Sequence, residues 1–231
     1  MKKKMLVLIN FLMAVGYLLA IIRYSKNGSV QVKGQTSLCF VLIGLFHFIG
    51  AAIAKVKLRF PIAMMAGLCI SMAADIVISW DFIAGAALFA IGHLCYFTAY
   101  HIQKRFGKWD FLPIGMIFGG SAVILLTVPN FDSSGEAVKW ICIGYALVIS
   151  FMTGKAISNV LTMRTATTVL LAVGSVMFYF SDFMLMLDCF AGNPFFAHEW
   201  CLASYFPAQG ILAGAIGCYW LDRRKQSFDS I

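Results

Sequence analysis

Two aspartates lie inside long apolar stretches of this sequence. Of the ten acidic residues, only Asp75 and Asp182 do so, and each stands six residues before a second aspartate, Asp81 or Asp188. An ionisable side chain in hydrocarbon costs at least about 2.5–3.5 kcal/mol, so its presence indicates a function. Desolvation disfavours the charged form of a carboxyl group, so one aspartate is a candidate proton donor and the other its ionised partner. For each aspartate taken alone, a hydrogen bond to a neighbouring helix is the alternative.

Polar and aromatic side chains recur around both aspartates at the spacing of one helix face. We expect these faces to converge on a cavity, where the His, Tyr and Gln side chains bond the carboxylates or a water. His93 could instead be a core histidine, and Tyr205 and Gln209 could simply hold helices together. The stripes are Ser71, Asp75 and Ser79; Ser175, Tyr179 and Asp182; Phe89, His93, Tyr96 and Tyr100; and Tyr205 with Gln209.

We expect neither a metal nor a cofactor. The four histidines are scattered along the chain, and the seven cysteines show no CxxC motif and no zinc-ligand spacing. Cys189 and Cys201 bracket one loop, and a disulfide between them stays open.

The composition excludes a water-soluble globule. The 231 residues are 61% hydrophobic and 12% charged, against about 25% charged in soluble domains. Each of eight apolar runs is long enough to cross about 30 Å of hydrocarbon as a helix. We therefore predict an all-α membrane protein, with residues 1–231 forming a single eight-helix transmembrane domain. The runs are Met5–Ile22, Ser37–Ala54, Phe60–Trp80, Phe82–Tyr100, Phe111–Val128, Val138–Ala156, Ala166–Leu187 and Cys201–Leu221.

The charges predict the orientation of these helices. The net charge is +8, but the basic residues form short clusters between apolar runs, so we expect no nucleic-acid partner. Most lysines and arginines fall on the side of both termini, which predicts that the termini lie in the cytoplasm. We expect the membrane to be the inner cell membrane. The first run is also compatible with a cleaved signal peptide, although its apolar part is longer than a typical signal core.

The two aspartates are predicted to share one depth in the membrane. Six residues of helix span about 9 Å, so both carboxyl groups lie a short way below the outer interface. The third and seventh helices run in the same direction, being four apart. This favours a parallel repeat of four plus four helices.

At this point the sequence resembles the YhhN-like lysoplasmalogenase family of multi-pass membrane proteins. The shared motifs are an acidic helix end, a Gly-His-x-x-Tyr helix, a Ser-Asp helix and a Tyr-x-x-x-Gln helix. The chain departs from the family pattern at Ala74, where a glycine is usual, and at Lys33–Thr36, where a Lys-Pro pair is usual. The matching residues are Asp75, Phe82, Gly85, Phe89, Gly92, His93, Tyr96, Gly174, Phe178, Ser181, Asp182, Phe190, Tyr205 and Gln209.

The resemblance implies eight helices and hydrolysis of the vinyl ether bond of lysoplasmalogens, which releases a fatty aldehyde and a glycerophospho-alcohol. The substrate would be a lysophospholipid taken from the bilayer, and no cofactor would be needed. Asp75 and Asp182 would be the catalytic carboxylates. The expected supporting or substrate-binding residues are Ser71, His93, Tyr96, Tyr179, Ser181, Tyr205 and Gln209.

Two other functions compete with this interpretation. A proton-coupled transporter of small molecules or lipids could use both aspartates and His93 as a proton relay. An intramembrane aspartyl protease also uses two aspartates on separate helices, but its Tyr-Asp and Gly-x-Gly-Asp motifs are absent from this sequence. The sequence does not indicate an oligomeric state.

Overall fold

The computed structural model of the chain describes residues 3–127, 136–191 and 196–228. Within these residues every regular element is helical, and eight helices are long and apolar enough to cross a membrane, as predicted. A short 3-10 turn, Lys108–Asp110, precedes the fifth helix. The helices are α1 Lys3–Asn27, α2 Val30–Ile53, α3 Arg59–Val77, α4 Phe82–Gln103, α5 Phe111–Thr127, α6 Glu136–Met163, α7 Ala166–Ala191 and α8 Ala197–Phe228.

The buried core lies between six of the helices. The most extensive interfaces join α7 to α8 and α3 to α4, and α2 and α6 pack beside them. Helix α1 lies at the periphery, where Tyr17 is its one buried residue among those whose burial is described. The Tyr17 hydroxyl donates a hydrogen bond of 2.6 Å to the Phe206 carbonyl oxygen and so fixes α1 to α8.

The second helix begins earlier than its apolar run predicted. It begins at Val30 and not at Ser37, because Ser29 caps it: the Ser29 Oγ accepts a hydrogen bond from Val32 N at 3.4 Å. The polar residues of its first turns lower the local hydropathy, so the apolar run did not include these turns. As a result, Lys33 lies on a helix and not in a loop.

A third carboxyl group, which the sequence analysis did not single out, is buried in the turn before α5. Asp110 is 2% exposed and Lys155 is fully buried. The Lys155 Nζ lies 2.8 Å from Asp110 Oδ2, and the Ser158 hydroxyl donates to Asp110 Oδ1. The two charges neutralise each other, which allows both to be buried. This pair joins the start of α5 to α6.

Cys189 and Cys201 are free thiols in the structure, so the disulfide that the sequence left open is not formed between them. The predicted orientation and the four-plus-four repeat stay predictions.

Candidate active site

Asp75 on α3 is held by side chains from two other helices. It is 1% exposed. Its Oδ2 accepts hydrogen bonds from the Ser37 hydroxyl of α2 at 2.5 Å and from the Tyr205 hydroxyl of α8 at 2.7 Å. On the other oxygen, the Lys33 Nζ of α2 lies 3.5 Å from Asp75 Oδ1. Three donors therefore surround a group that accepts hydrogen bonds through both oxygens when ionised.

Asp182 on α7 has a separate set of partners. It is 4% exposed. Its Oδ2 lies 2.9 Å from His93 Nε2 of α4 and also accepts a hydrogen bond from the Tyr145 hydroxyl of α6. The His93 Nε2 carries the hydrogen in this contact if the carboxyl group is ionised, because a carboxylate only accepts. His93 and Tyr145 are themselves 2.9 Å apart, so the three groups form a closed cluster.

A series of hydrogen bonds connects Tyr96 to Asp75 through Gln209 and Tyr205. The Tyr96 hydroxyl donates to Gln209 Oε1 at 2.9 Å, and Gln209 Nε2 donates to the Tyr205 hydroxyl oxygen at 3.3 Å. Tyr205 in turn donates to Asp75. Tyr96 and Gln209 are both fully buried. Each polar group therefore has a partner, and the chain fixes the orientation of Tyr205.

Small residues bring α3 and α4 close enough for this arrangement. A Cβ atom on Gly67 would lie 2.5 Å from the Tyr96 ring, and one on Gly92 would lie 3.2 Å from Ser71 Oγ. Only glycine leaves room for the Tyr96 ring against α3 without displacing it. The two glycines therefore position the start of the hydrogen-bonded chain.

Aromatic rings separate the two aspartate clusters. The Phe178 ring contacts His93 on one side, with centroids 4.7 Å apart, and Tyr205 on the other, at 5.3 Å. Phe89 packs edge-on against both Phe178 and Tyr205. Among the described residues no hydrogen bond joins the Asp75 cluster to the Asp182 cluster. The aspartates thus occupy neighbouring sites on either side of an aromatic wall, Phe89 and Phe178.

Asp182 faces a small cavity at the end of the bundle where α3 ends and α4 begins. The cavity has a volume of about 30 Å³, enough for a water molecule. Asp182 and Tyr145 supply its polar groups, and Phe89 of the aromatic wall lines it as well. Its remaining lining residues are apolar: Ile78, Phe82, Ala86, Ile141, Cys142, Leu185 and Met186.

Three of the residues predicted from the sequence are not hydrogen-bonded to either aspartate. The Tyr179 hydroxyl pairs with Ser121 Oγ of α5 at 2.6 Å, and the Ser181 hydroxyl donates to the Cys201 carbonyl oxygen at 3.1 Å. Ser71 is buried between α3 and α4, and no hydrogen bond joins it to either aspartate in the described structure. The structure brings His93 to Asp182, and Tyr205, Gln209 and Tyr96 to Asp75.

Three partners of the aspartates were not predicted from the sequence: Lys33, Ser37 and Tyr145. Lys33 and Ser37 are four residues apart, which places them on one helix face, but the helix was predicted to begin only at Ser37. Tyr145 is a polar residue within an apolar run, and nothing in the spacing of that run singles it out.

The described residues contain no group of three or more His, Cys, Asp or Glu side chains placed to hold a metal ion.

The whole site lies within the part of the chain that one family model matches. The sequence model of the YhhN family matches residues 28–216, which include every partner of both aspartates. No curated protein and no solved structure matches the chain. The match covers well over half of the 231 residues, and the chain therefore belongs to the YhhN family.

Proposed function

We propose that this chain hydrolyses the vinyl ether bond of lysoplasmalogens within the membrane. One observation carries this proposal: the bundle contains two buried aspartates, each held by donors from other helices. An aromatic wall separates the two. Membership of the YhhN family supports it, since the motifs of the resemblance imply this reaction. The products are a fatty aldehyde and a glycerophospho-alcohol.

The reaction needs an acid, which becomes the base, and one water. A vinyl ether has no carbonyl group, so cleavage begins when a proton adds to the alkene carbon that does not bear oxygen. The resulting oxocarbenium ion is attacked by water, which loses a proton to the carboxylate left by the first proton transfer. This step regenerates the acid and leaves a hemiacetal. The hemiacetal breaks its bond to the glycerol oxygen, and that oxygen takes the hydroxyl proton. One water is consumed, and two carboxyl groups divide similar work in glycoside hydrolysis.

Asp182 is the proton donor in this scheme. It is the aspartate that lines the cavity, where water and the alkene would meet. His93 and Tyr145 both contact its Oδ2, and no described side chain hydrogen-bonds its Oδ1. Oδ1 is therefore the oxygen placed to deliver a proton, while His93 and Tyr145 fix the carboxyl group.

Asp75 is the ionised partner. The Lys33 ammonium group and the hydroxyls of Ser37 and Tyr205 stabilise its carboxylate. Its negative charge would favour the oxocarbenium ion across the aromatic wall, and the face of Phe89 would add a cation–π contribution. The two aspartates thus take different roles because their surroundings differ.

Substrate entry requires the cavity to widen. A volume of about 30 Å³ holds a water but not a lysolipid. The apolar side chains of Ile78, Phe82 and Leu185 form part of its wall, and they would separate to admit the vinyl ether end of the lipid. A substrate lying in the outer leaflet would reach this depth without leaving the membrane.

We also propose that the protein lies in the inner cell membrane with both termini in the cytoplasm. The basic residues clustered at the end of the bundle that carries both termini support that orientation. Fusion of a reporter that fluoresces only in the cytoplasm to the C-terminus tests it directly.

The experiment is aldehyde release by purified protein from a vinyl-ether lysophospholipid, compared with the saturated alkyl-ether analogue. We expect release from the first substrate only. Asp182→Asn should lower turnover by about 10²–10⁴-fold, the usual contribution of a general acid. Asp75→Asn should also lower turnover, because it removes the negative charge that favours the oxocarbenium ion.

Asp81→Asn is the matched control. Asp81 caps α4 by accepting a hydrogen bond from Ala84 N at 3.0 Å, and asparagine caps helices equally well. This variant should keep full activity. Lipid uptake into vesicles without aldehyde release would favour the transporter instead, and release from the saturated analogue would contradict vinyl ether chemistry.

A further inference from the structure

A wide groove lies at the end of the bundle remote from the Asp182 cavity. It has a volume of about 1150 Å³ and lies between the start of α1 and the ends of α2 and α8. This exceeds the roughly 300–1,000 Å³ of a pocket for a drug-sized molecule. Leu6, Phe46, Ile49 and Ile53 form an apolar wall along α1 and α2. The groove is therefore large and hydrophobic along one side.

The rim of the groove is strongly basic. Five cationic residues line it: Lys55, Lys57, Arg59, Arg223 and Arg224. No acidic residue is among the described residues that line it. Such a charge imbalance favours an anionic occupant.

The fold draws these cations together from two separate segments. The Tyr219 hydroxyl of α8 donates to the Lys57 carbonyl oxygen at 3.3 Å, which ties α8 to the connection between α2 and α3. The Arg223 guanidinium group stacks over the same Tyr219 ring at 5.5 Å. The nearest acid in sequence, Asp222, points to α7, where its Oδ2 accepts hydrogen bonds from Thr167.

Two buried polar groups on the groove lack hydrogen-bond partners. His47 and Trp220 are 7% and 9% exposed and both line the groove. Neither His47 Nδ1 nor Trp220 Nε1 has a partner in the described structure. Buried polar groups are nearly always bonded, so unpaired ones beside a groove indicate a missing ligand or water.

We propose that this groove binds an anionic phospholipid from the leaflet on the side of the chain termini. The basic rim suits the headgroup phosphate, and the apolar wall suits the acyl chains, a combination typical of lipid sites between transmembrane helices. A small phosphate ester would use the rim but leave the apolar wall unused. The site is separate from the aspartate clusters and does not depend on the proposed reaction.

The test is native mass spectrometry of the full chain in detergent, with added phosphatidylglycerol, phosphatidylcholine or glycerol 3-phosphate. Phosphatidylglycerol should be retained more strongly than phosphatidylcholine. The triple variant Lys55→Gln, Lys57→Gln, Arg59→Gln should weaken that retention by about fivefold for each charge removed, or about 100-fold in all. All three residues are exposed, so the substitutions leave the packing intact.

A matched control removes three charges from the same end of the bundle. Arg105→Gln, Lys108→Gln and Arg164→Gln change exposed residues outside the groove and should leave lipid retention unchanged. The proposal would be overturned if the groove variant retained phosphatidylglycerol as strongly as the wild type, or if the control variant lost as much retention as the groove variant. It would also be overturned if phosphatidylglycerol and phosphatidylcholine bound equally well. Retention of glycerol 3-phosphate as strong as that of the lipid would overturn it as well.

Discussion

The Lys33 Nζ lies 3.5 Å from Asp75 Oδ1, and this ion pair joins the start of α2 to the end of α3. It differs from the cluster around Asp182, where the partners are an imidazole and a phenol. The two aspartates thus lie in different environments. In the proposed mechanism this difference lets Asp182 act as the acid and Asp75 act as its ionised partner.

Replacement of Lys33 by methionine should destabilise the protein by about 1–3 kcal/mol, because it leaves the buried Asp75 without its cation. The double variant Lys33→Met, Asp75→Asn should lose less than the sum of the two single variants, since both charges are then gone. Thermal unfolding in detergent measures both effects. Strictly additive losses would show that the pair is not coupled.

His93→Gln should lower turnover by about 10–100-fold while the protein stays folded, because glutamine cannot hold the Asp182 carboxyl group as the imidazole does. The measurement is the rate of aldehyde release at saturating substrate. His101→Gln is the control, since His101 is an exposed residue later on the same helix. Full activity in His93→Gln would remove the imidazole from the proposed mechanism.

Gly67→Ala should displace the Tyr96 ring, because the added Cβ would lie 2.5 Å from it. Overpacking of this kind costs about 1–3 kcal/mol, and the shift should spread through Gln209 to Tyr205 and lower turnover. Gly120→Ala is the control, since nothing lies within 4 Å of its Cβ position. Unchanged stability and activity in Gly67→Ala would show that the Tyr96 position is not constrained.

Asp110→Asn should destabilise the protein by about 3–5 kcal/mol, because it leaves Lys155 buried without a counter-charge. The residual folded protein should turn over substrate at the normal rate, as Asp110 lies outside both aspartate clusters. Thermal unfolding and specific activity of the folded fraction separate the two effects. A selective loss of activity would instead indicate a role in the reaction.

The number of helices and both central aspartates could be predicted from the sequence, because apolar runs and isolated charges within them are local signals. His93, Tyr205 and Gln209 could be found for the same reason, as polar residues repeating on one helix face. Their pairing into two separate clusters could not be predicted, because it depends on how α4, α7 and α8 pack.

Other partners escaped prediction because tertiary context overrides hydropathy. Lys33 lies in a first turn that a capping serine extends, and average hydropathy does not register a cap. Asp110 stands just before one apolar run and Lys155 stands at the end of another, so neither is marked as buried by the sequence. Their contact, between the turn before α5 and helix α6, lowers the free-energy cost of burying both charges. Phe178 resembles any core aromatic residue, although it separates the two clusters.

Hydrolysis in D₂O tests the central claim most directly. If the Asp182 carboxyl group, exchanged with solvent, protonates the alkene, the aldehyde trapped as it forms carries one deuterium on the carbon next to the carbonyl group. Asp182→Asn should then form almost no aldehyde. The account would be contradicted if the released aldehyde carried no deuterium at that carbon. It would also be contradicted if Asp182→Asn released aldehyde at the wild-type rate.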